Sequence, residues 1–206
     1  MTSLTPTTTP DYREVLIQTA LAYRTGETTR TAPAKVVEAL LQAEKAAKQQ
    51  RLSYSLEALL GQWRLCFTTG TRKLRRGGIA LGTGFYVPKW VPAYIGFERV
   101  VASGQEKAQI SNQIQFSGLK LKLTGPAKYL NKKNLLAFDF TQVFVLWGSR
   151  SLYAGRFRGG KVMSETFEEQ PIAKLPFFSF FSIAEDFIAA RGRGGGLALW
   201  VREVER

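Results

Sequence analysis

Residues 61–68 read Gly-Gln-Trp-Arg-Leu-Cys-Phe-Thr, and they mark a change in the pattern of the sequence. Before this stretch, apolar residues recur at the spacing of a helix, whereas from Gln62 onward they alternate with polar residues. Alternation places Trp63, Leu65 and Phe67 on one face of a β-strand. We therefore predict a first strand here, with these three side chains turned toward a core.

The residues before this strand predict two helices. The first begins at residues 9–11, Thr-Pro-Asp, which supply an N-cap, a first-turn proline and a first-turn carboxylate, and it ends at Gly26. The second begins near residues 31–33 and continues to about Arg51, with apolar residues at helical spacing. Residues 11–58 are thus expected to form a helical leader that packs on a β-domain, and residues 1–10 to be disordered.

Short alternating stretches separated by turn residues fill the rest of the chain. They predict strands over residues 94–101, 109–116, 119–124, 135–147, 151–158, 162–169, 183–189 and 197–204. Many short strands at spacings of about 10 to 15 residues favour an antiparallel barrel or sandwich over a parallel α/β sheet. We therefore expect a mainly β domain over residues 59–206.

The composition is that of a folded, basic protein without histidine. Of 206 residues 45% are hydrophobic, and 29 Lys and Arg against 16 Asp and Glu give a net charge of +13. Histidine is absent, which excludes Ser-His-Asp and Cys-His catalysis and His-ligated zinc or haem. The single cysteine, Cys66, forms no internal disulfide and no Cys-rich metal site. We expect neither a metal nor a cofactor.

No sequence signal indicates a membrane span or a targeting peptide. No run of about 18 apolar residues occurs. The first ten residues lack both an apolar segment and an Arg-rich amphipathic segment. We therefore expect no transmembrane helix and no secretion. The positive charge is spread evenly, without a basic tail.

The acidic residues form no recognisable catalytic pattern. The candidates in the β region are Glu98, Asp139, Glu165 and Glu168. Their spacing is not that of a pair of convergent carboxylates. Asp139 stands between two phenylalanines in a predicted strand, so it should face water if they point inward. The prediction is a protein without enzymatic activity.

The ends of the β region predict a closing contact. Gly61 and Trp63 form a G-x-W at the start of the first strand, and Arg202 stands in the last strand. In lipocalin-type barrels such a cation covers the indole face, a contact that contributes roughly 0.5 to 2 kcal/mol. The alternative is an ordinary core tryptophan and a surface arginine. The positions of the two residues in the first and last strands favour closure.

Two segments resemble a known family. Residues 61–70, GQWRLCFTTG, resemble the G-x-W-R-L-x-[YF]-T-[ST] signature of the plastid lipid-associated proteins, also called plastid fibrillins, and residues 188–202, IAARGRGGGLALWVR, are similar to their closing segment. With the helical leader, the resemblance to a cyanobacterial-type member covers about residues 11–206. Many relatives carry an acidic residue just before the closing Arg-Gly, where this chain has Ile188, Ala189 and Ala190. We therefore assign no residue of this chain the role that this carboxylate has in those relatives.

The resemblance implies a lipocalin-like (calycin) β-barrel that binds carotenoids, prenylquinones or other lipids. It also implies association with thylakoid membranes, on their cytoplasmic side in a cyanobacterium, or with the stroma and plastoglobules of a plastid. It implies no catalytic residues. The side chains predicted to line the barrel and contact an apolar ligand are Trp63, Leu65, Phe67, Leu119, Leu121, Leu123, Phe138, Phe140 and Phe144. Trp147 would share their face only across a bulge.

Two aromatic stretches, residues 85–94 and 175–181, contain prolines and are predicted as loops at a barrel rim. Clustered rings in loops indicate either a buried cap or a functional surface. As a membrane-facing surface they would present Trp90, Phe177, Phe178, Phe180 and Phe181 to lipid. The nearby cations that would attract anionic headgroups are Lys89, Lys174, Arg72, Lys73, Arg75 and Arg76.

Three functions are open at this stage. The first is a carrier of an apolar lipid or isoprenoid at an anionic membrane surface. The second is a scaffold that coats membranes or supports a prenyl-chain enzyme, with a barrel filled by side chains. The third, nucleic-acid binding, is not expected, because the glycine-rich residues 191–196 are a single copy followed by an apolar strand and predict a hairpin turn. The scaffold hypothesis implies a protein partner, which the sequence does not identify.

Overall fold

The computed structural model describes residues 11–74, 78–102, 104–156 and 166–203. Within them, two N-terminal helices precede a mainly antiparallel β-structure that closes into a barrel. The predicted fold class, a lipocalin-like barrel with a two-helix segment, is confirmed.

The helices begin and end close to their predicted positions. Helix α1 spans Tyr12–Thr25 and helix α2 spans Pro33–Gln49. Asp11 is the N-cap of α1, because its carboxylate accepts a hydrogen bond of 3.1 Å from the backbone N–H of Arg13. Gly26 ends α1 with a φ of 83°, which glycine adopts without strain. The predicted N-cap, Thr9, lies outside the described residues.

The strands differ more from prediction than the helices do. In chain order they are β1 (Gly61–Thr68), β2 (Thr71–Leu74), β3 (Gly78–Leu81), β4 (Phe85–Tyr86), β5 (Ala93–Ala102), β6 (Gln105–Phe116), β7 (Leu119–Leu130), β8 (Leu135–Phe138), β9 (Gln142–Trp147), β10 (Arg150–Arg156), β11 (Phe177–Ile183), β12 (Phe187–Gly192) and β13 (Leu197–Arg202).

Eight of the described strands close the barrel, in the order β7-β6-β5-β1-β13-β12-β11-β8 and back to β7. Closure depends on β7, because its first half pairs with β9 and its second half with β8. Strands β9 and β10 therefore extend the sheet past the barrel wall. The extension, formed by residues 111–124 and 142–156, is termed the flared sheet.

The chain passes from β8 to β9 by crossing over Gly125. The backbone N–H of Asp139 donates to the carbonyl of Pro126, and that of Thr141 donates to the carbonyl of Thr124. A Cβ on Gly125 would lie 1.8 Å from the carbonyl oxygen of Asp139. The crossing therefore requires glycine at this position.

This crossing overturns three sequence predictions. Gly125 and Pro126, which follow the end of the strand predicted over 119–124, lie inside β7, where the proline is tolerated at the point at which β7 changes partners. The single strand predicted over 135–147 is broken into β8 and β9. Asp139 is buried in the crossing and does not face water.

The C-terminal third also differs from prediction. The stretch predicted as a loop over 175–181 contributes most of β11, because Pro176 precedes the first strand residue and leaves the phenylalanines free to pair. The strand predicted over 183–189 is interrupted by a turn between β11 and β12. Residues 167–169 form a 3-10 turn instead of a strand, and residues 157–165 lie outside the described part of the chain.

Apolar side chains pack on both sides of the barrel wall. Inside are Trp63, Ile95, Phe97, Ile110, Leu136, Phe138, Phe180, Ile188 and Trp200. Outside, α1 and α2 pack against Cys66, Phe67, Phe181, Phe187, Leu199 and Val201. A bulge in β1 adds one residue between Leu65, opposite Trp200, and Phe67, opposite Leu199. Phe67 is thereby turned to the helices, and its predicted place in the barrel interior is wrong.

An ion pair with little exposure to solvent joins α2 to β12. The Arg191 guanidinium donates to both carboxylate oxygens of Glu44, over 2.9 and 2.5 Å, and Lys48 donates to the same carboxylate over 3.1 Å. Burial raises the pKa of Glu44, but the hydrogen bonds from Arg191 and Lys48 outweigh burial, so the pKa is lowered. Helix α2 thus supplies a carboxylate to Arg191, although residues 188–190, directly before it in sequence, contain none.

Glu44→Gln is expected to lower the free energy of unfolding at neutral pH by about 2 kcal/mol, because it leaves Arg191 without its counter-charge. The pKa of Glu44 is lower in the folded than in the unfolded chain. The stabilisation that the ionised carboxylate gives the fold is therefore complete above the pKa of an unfolded glutamate, about 4.3, and is lost as the pH falls through the lower pKa of the folded chain. Urea unfolding of wild type and variant should show a difference that narrows in acid. Glu38→Gln, exposed on the same helix, is the control. An equal loss in both variants would contradict the role of the pair.

Candidate functional site

One end of the barrel is closed by an arginine. The Arg202 guanidinium carbon lies 4.0 Å from the centre of the Trp63 ring, and the two residues are paired in the β1–β13 ladder. Arg202 Nη1 donates to the carbonyl of Leu60 and Trp63 Nε1 donates to that of Leu59. Gly61, at a φ of 113°, leaves room for Nη1, which a Cβ would approach to 3.1 Å. The predicted closing contact is present.

The middle of the barrel is filled with side chains. The Phe138 and Phe178 rings stack with centres 5.2 Å apart, and Phe178 meets Trp200 edge-on at 5.6 Å. Phe97 meets Phe180 edge-on at 5.9 Å. An apolar ligand would therefore meet a packed core at this depth.

The opposite end has an open cleft, termed the mouth. It has a volume of about 280 Å³ and is lined by residues of β1, β5, β6, β11, β12 and β13, with Thr68 and Asn112 among its polar side chains. Its apolar lining includes Leu65, Ala93, Ile95, Phe178, Ala198 and Trp200. Leu65, Ile95, Phe178 and Trp200 also contact the interior core, so the mouth opens directly onto that core.

The interior face of the barrel continues beyond the mouth onto the flared sheet. The β5–β6 and β6–β7 ladders contain no register shift, so the side of β6 that buries Ile110 also carries Ile114 and Phe116. Phe116 is paired with Leu119, and Leu119 with Trp147 on β9. On this side of the sheet, apolar side chains run from the interior to the strand tips, with Asn112 on β6 as a polar residue among them.

The apolar side of the flared sheet is open to solvent. Ile114, Phe116, Leu119, Leu121 and Trp147 are each 40–61% exposed. Trp90, 70% exposed in the turn before β5, meets Phe116 edge-on at 6.4 Å and extends the surface. These six residues are termed the apolar face.

The residues predicted to line the barrel fall into three groups. Trp63 and Phe138 are buried inside it, and Leu65 and Phe140 are partly buried against the same core. Leu119, Leu121 and Leu123 share the apolar side of the flared sheet. Phe67 and Phe144 point to the outside.

The position of Phe144 is a consequence of the crossing between β8 and β9. Residues 139–141, which belong to neither strand, separate β8 from β9, so the inward and outward alternation of side chains in β8 does not continue to Phe144. Phe144 is paired with Lys122 on the reverse side of the flared sheet, whereas Trp147 shares the side of the leucines. The predicted inward orientation of Phe144 is wrong.

Most residues predicted to face a membrane do not form a rim. Phe180 and Phe181 are buried in β11, and Phe177 and Phe178 are half-buried. Lys89 turns toward α1, where its ammonium group donates to the carbonyl of Arg24. Lys174 is exposed in a 3-10 turn. Of the predicted aromatic residues, Trp90 alone belongs to the apolar face.

The predicted basic run falls only partly within the structure. Arg72 and Lys73 lie in β2, but their side chains are outside the described part of the chain. Arg75 and Arg76 also lie outside the described residues. Their predicted attraction to anionic lipid stays a prediction.

The flared sheet is itself positively charged. Its residues 111–124 and 142–156 include four cations, Lys120, Lys122, Arg150 and Arg156, and no Asp or Glu. The two lysines lie on the reverse side of β7, paired with Leu146 and Phe144, and Arg150 is paired with Trp147. An exposed apolar surface is thus carried by a sheet with only positive charge.

Groups for metal or thiol chemistry are not assembled in the described residues. Among them, no three Cys, Asp or Glu side chains are placed to hold a metal. Burial raises the pKa of the Cys66 thiol, so the thiol is protonated at neutral pH. Neither helix in the described ranges is long and apolar enough to cross a bilayer.

Comparisons with protein-family models, curated proteins and solved structures found no match. The resemblance to the plastid lipid-associated proteins therefore rests on the motifs at the two ends of the chain and stays a prediction. The functional argument depends on the mouth and the apolar face.

Proposed function

We propose that the protein is a non-enzymatic lipid-binding protein that associates peripherally with anionic membranes through the apolar face. The observation that carries this proposal is the cluster of six exposed apolar side chains on the side of the sheet that continues from the packed interior. Monomeric soluble proteins rarely expose a large contiguous apolar patch without a binding role.

The chemistry of the apolar face fits a membrane interface. Trp and Phe side chains prefer the headgroup region, and leucines gain about 25 cal/mol for each Å² removed from water. Arg150, paired with Trp147 on the apolar side, adds attraction to anionic lipid of about 1 kcal/mol for a charge near the surface. Lys120, Lys122 and Arg156 lie on the reverse side of the sheet and act over a longer distance. The +13 net charge acts in the same direction.

The mouth is the proposed site for the ligand. Its volume of about 280 Å³ is at the lower end for a small-molecule pocket, so it suits one ring or chain end of a longer apolar lipid. The rest of that lipid would lie along the apolar face. The motif resemblance supports an isoprenoid, such as a carotenoid or prenylquinone, as the lipid, and thylakoids or lipid globules as the membrane.

The filled interior favours a second candidate function. A scaffold that coats the membrane needs no ligand site, and the rings of Phe138, Phe178 and Trp200 occupy the space that an enclosed ligand would need. Solvent extraction of protein purified from a lipid-producing host separates the two. A carrier yields a stoichiometric isoprenoid or other apolar lipid, whereas a coat yields none.

Vesicle flotation tests the membrane proposal itself. The protein is expected to float with vesicles that contain phosphatidylglycerol, to float less at raised salt, and to bind vesicles of phosphatidylcholine alone more weakly. Duplex DNA at equal charge concentration is the competitor. Failure to float with anionic vesicles, or complete displacement by DNA, would overturn the proposal.

A further inference from the structure

A second cavity lies outside the barrel wall, along α1. It has a volume of about 540 Å³ and is enclosed by one face of α1, by residues 52–54 and by the end of β11 with the turn into β12. This helix groove includes Phe181 and Phe187, which belong to the core outside the barrel. The groove is therefore separate from the mouth.

The groove is long and apolar. Its α1 residues run from Tyr12 to Arg24, and positions 13–24 span about 16 Å along the helix axis. Ile17 and Leu21 stand one turn apart along it and are 48% and 43% exposed, although both are apolar. Its volume lies within the range of ligand pockets. Its shape suits a single extended chain.

The two ends of the groove differ in charge. At the N-terminal end, Arg13 forms no salt bridge with any carboxylate of the described residues, and its Nε donates to the Tyr12 hydroxyl. The neighbouring carboxylates of Asp11 and Glu14 do not line the groove: Asp11 accepts from the Arg13 backbone N–H, and Glu14 accepts from Gln18. The helix dipole adds partial positive charge at the same end.

The C-terminal end of the groove carries a net negative charge. There the guanidinium of Arg24 is paired with the carboxylate of Asp186. Glu185 adds a negative charge beside this pair. An anionic group is therefore favoured only at the Arg13 end.

From this polarity we propose that the helix groove binds a single-chain amphiphile with an anionic head, such as a fatty carboxylate. The carboxylate lies at Arg13 and the chain lies along Ile17 and Leu21. This site needs neither the mouth nor the apolar face, so it does not depend on the proposed membrane association.

Calorimetric titration with monomeric dodecanoate and with dodecanol, on the full chain, tests this site. Ile17→Gln is expected to weaken the binding of both probes about tenfold, because it removes apolar contact along the chain. Arg13→Gln is expected to weaken dodecanoate about fivefold and to leave dodecanol unchanged. The controls, Leu41→Gln and Lys45→Gln, exchange an exposed leucine and lysine on α2 and should bind like wild type.

The outcomes separate the groove from the membrane site. Phe116→Ser with Leu121→Ser should retain full dodecanoate affinity. Absence of dodecanoate binding, equal binding by Ile17→Gln and Leu41→Gln, or equal loss of both probes in Arg13→Gln would overturn the proposal. Concentration-dependent dimers that Ile17→Gln dissociates would also overturn it, since the groove would then be an interface between two copies.

Discussion

Replacing Phe116 and Leu121 together by serine is expected to weaken binding to anionic vesicles about 100-fold. Full burial of such a side chain contributes about 1.5–3 kcal/mol, and both are already partly covered in the free protein, so the pair should contribute roughly 3 kcal/mol. Both lie on the apolar face, 61% and 40% exposed, so the barrel should fold normally. A flotation titration against vesicle concentration measures the change.

The matched control is Val101→Ser with Leu41→Ser. Both residues are exposed and apolar, but Val101 stands at the far end of β5 from the flared sheet and Leu41 lies on α2. This variant should bind vesicles like wild type. Equal weakening in both double variants would show that general surface hydrophobicity, and not the apolar face, drives binding. A wild-type dimer that only Phe116→Ser with Leu121→Ser dissociates would assign the face to self-association.

The second large effect is expected at Gly125, where alanine should lower the free energy of unfolding by about 3 kcal/mol or more. The added Cβ would lie 1.8 Å from the Asp139 carbonyl oxygen and 3.0 Å from the Cα of Phe140. Both are backbone atoms, so the crossing from β8 to β9 must move and the barrel loses its closure at β7. Urea unfolding followed by tryptophan fluorescence measures the loss.

Gly194→Ala is the control for Gly125→Ala. Gly194 lies in the hairpin between β12 and β13, and a Cβ added there would have no heavy atom within 4 Å. Its expected change is within about 0.5 kcal/mol. If Gly125→Ala were as stable as Gly194→Ala, the crossing would accommodate a side chain and would not require glycine.

Local sequence patterns predicted those parts of the fold that depend on helix capping, turn conformation and the spacing of apolar residues. The proline at the start of α2, the αL glycine at Gly26 and the presence of a strand at β1 hold in the structure. Asp11, predicted for the first turn of α1, is its N-cap, and a bulge breaks the predicted alternation in β1. Long-range pairing decides the rest. Gly125 and Pro126 form a turn in most contexts, yet here they allow another segment to cross, and β7 pairs with two strands in succession.

The candidate site was predicted in part. The closing pair Trp63 and Arg202 follows from their positions at the two ends of the β region. The leucines of β7 were identified, but Ile114, Phe116 and Trp147 were missed, because their exposure depends on a sheet that leaves the barrel.

A signal for part of this site is present in the sequence. Ser117 and Gly118 form a two-residue turn with φ of 46° and 86°, and such a turn pairs Phe116 with Leu119 directly. Trp147 carries no comparable local signal, since its place opposite Leu119 depends on the crossing at residues 139–141.

The central claim is that the protein inserts into the membrane through the apolar face. Phe116→Cys and Val101→Cys can each be labelled with an environment-sensitive fluorophore, because the only native thiol, Cys66, is buried and protonated. With anionic vesicles containing a lipid-attached quencher, the label at position 116 is expected to shift to the blue and be quenched, while the label at position 101 keeps its emission. Quenching of equal depth at both positions, or at position 101 alone, would contradict the account.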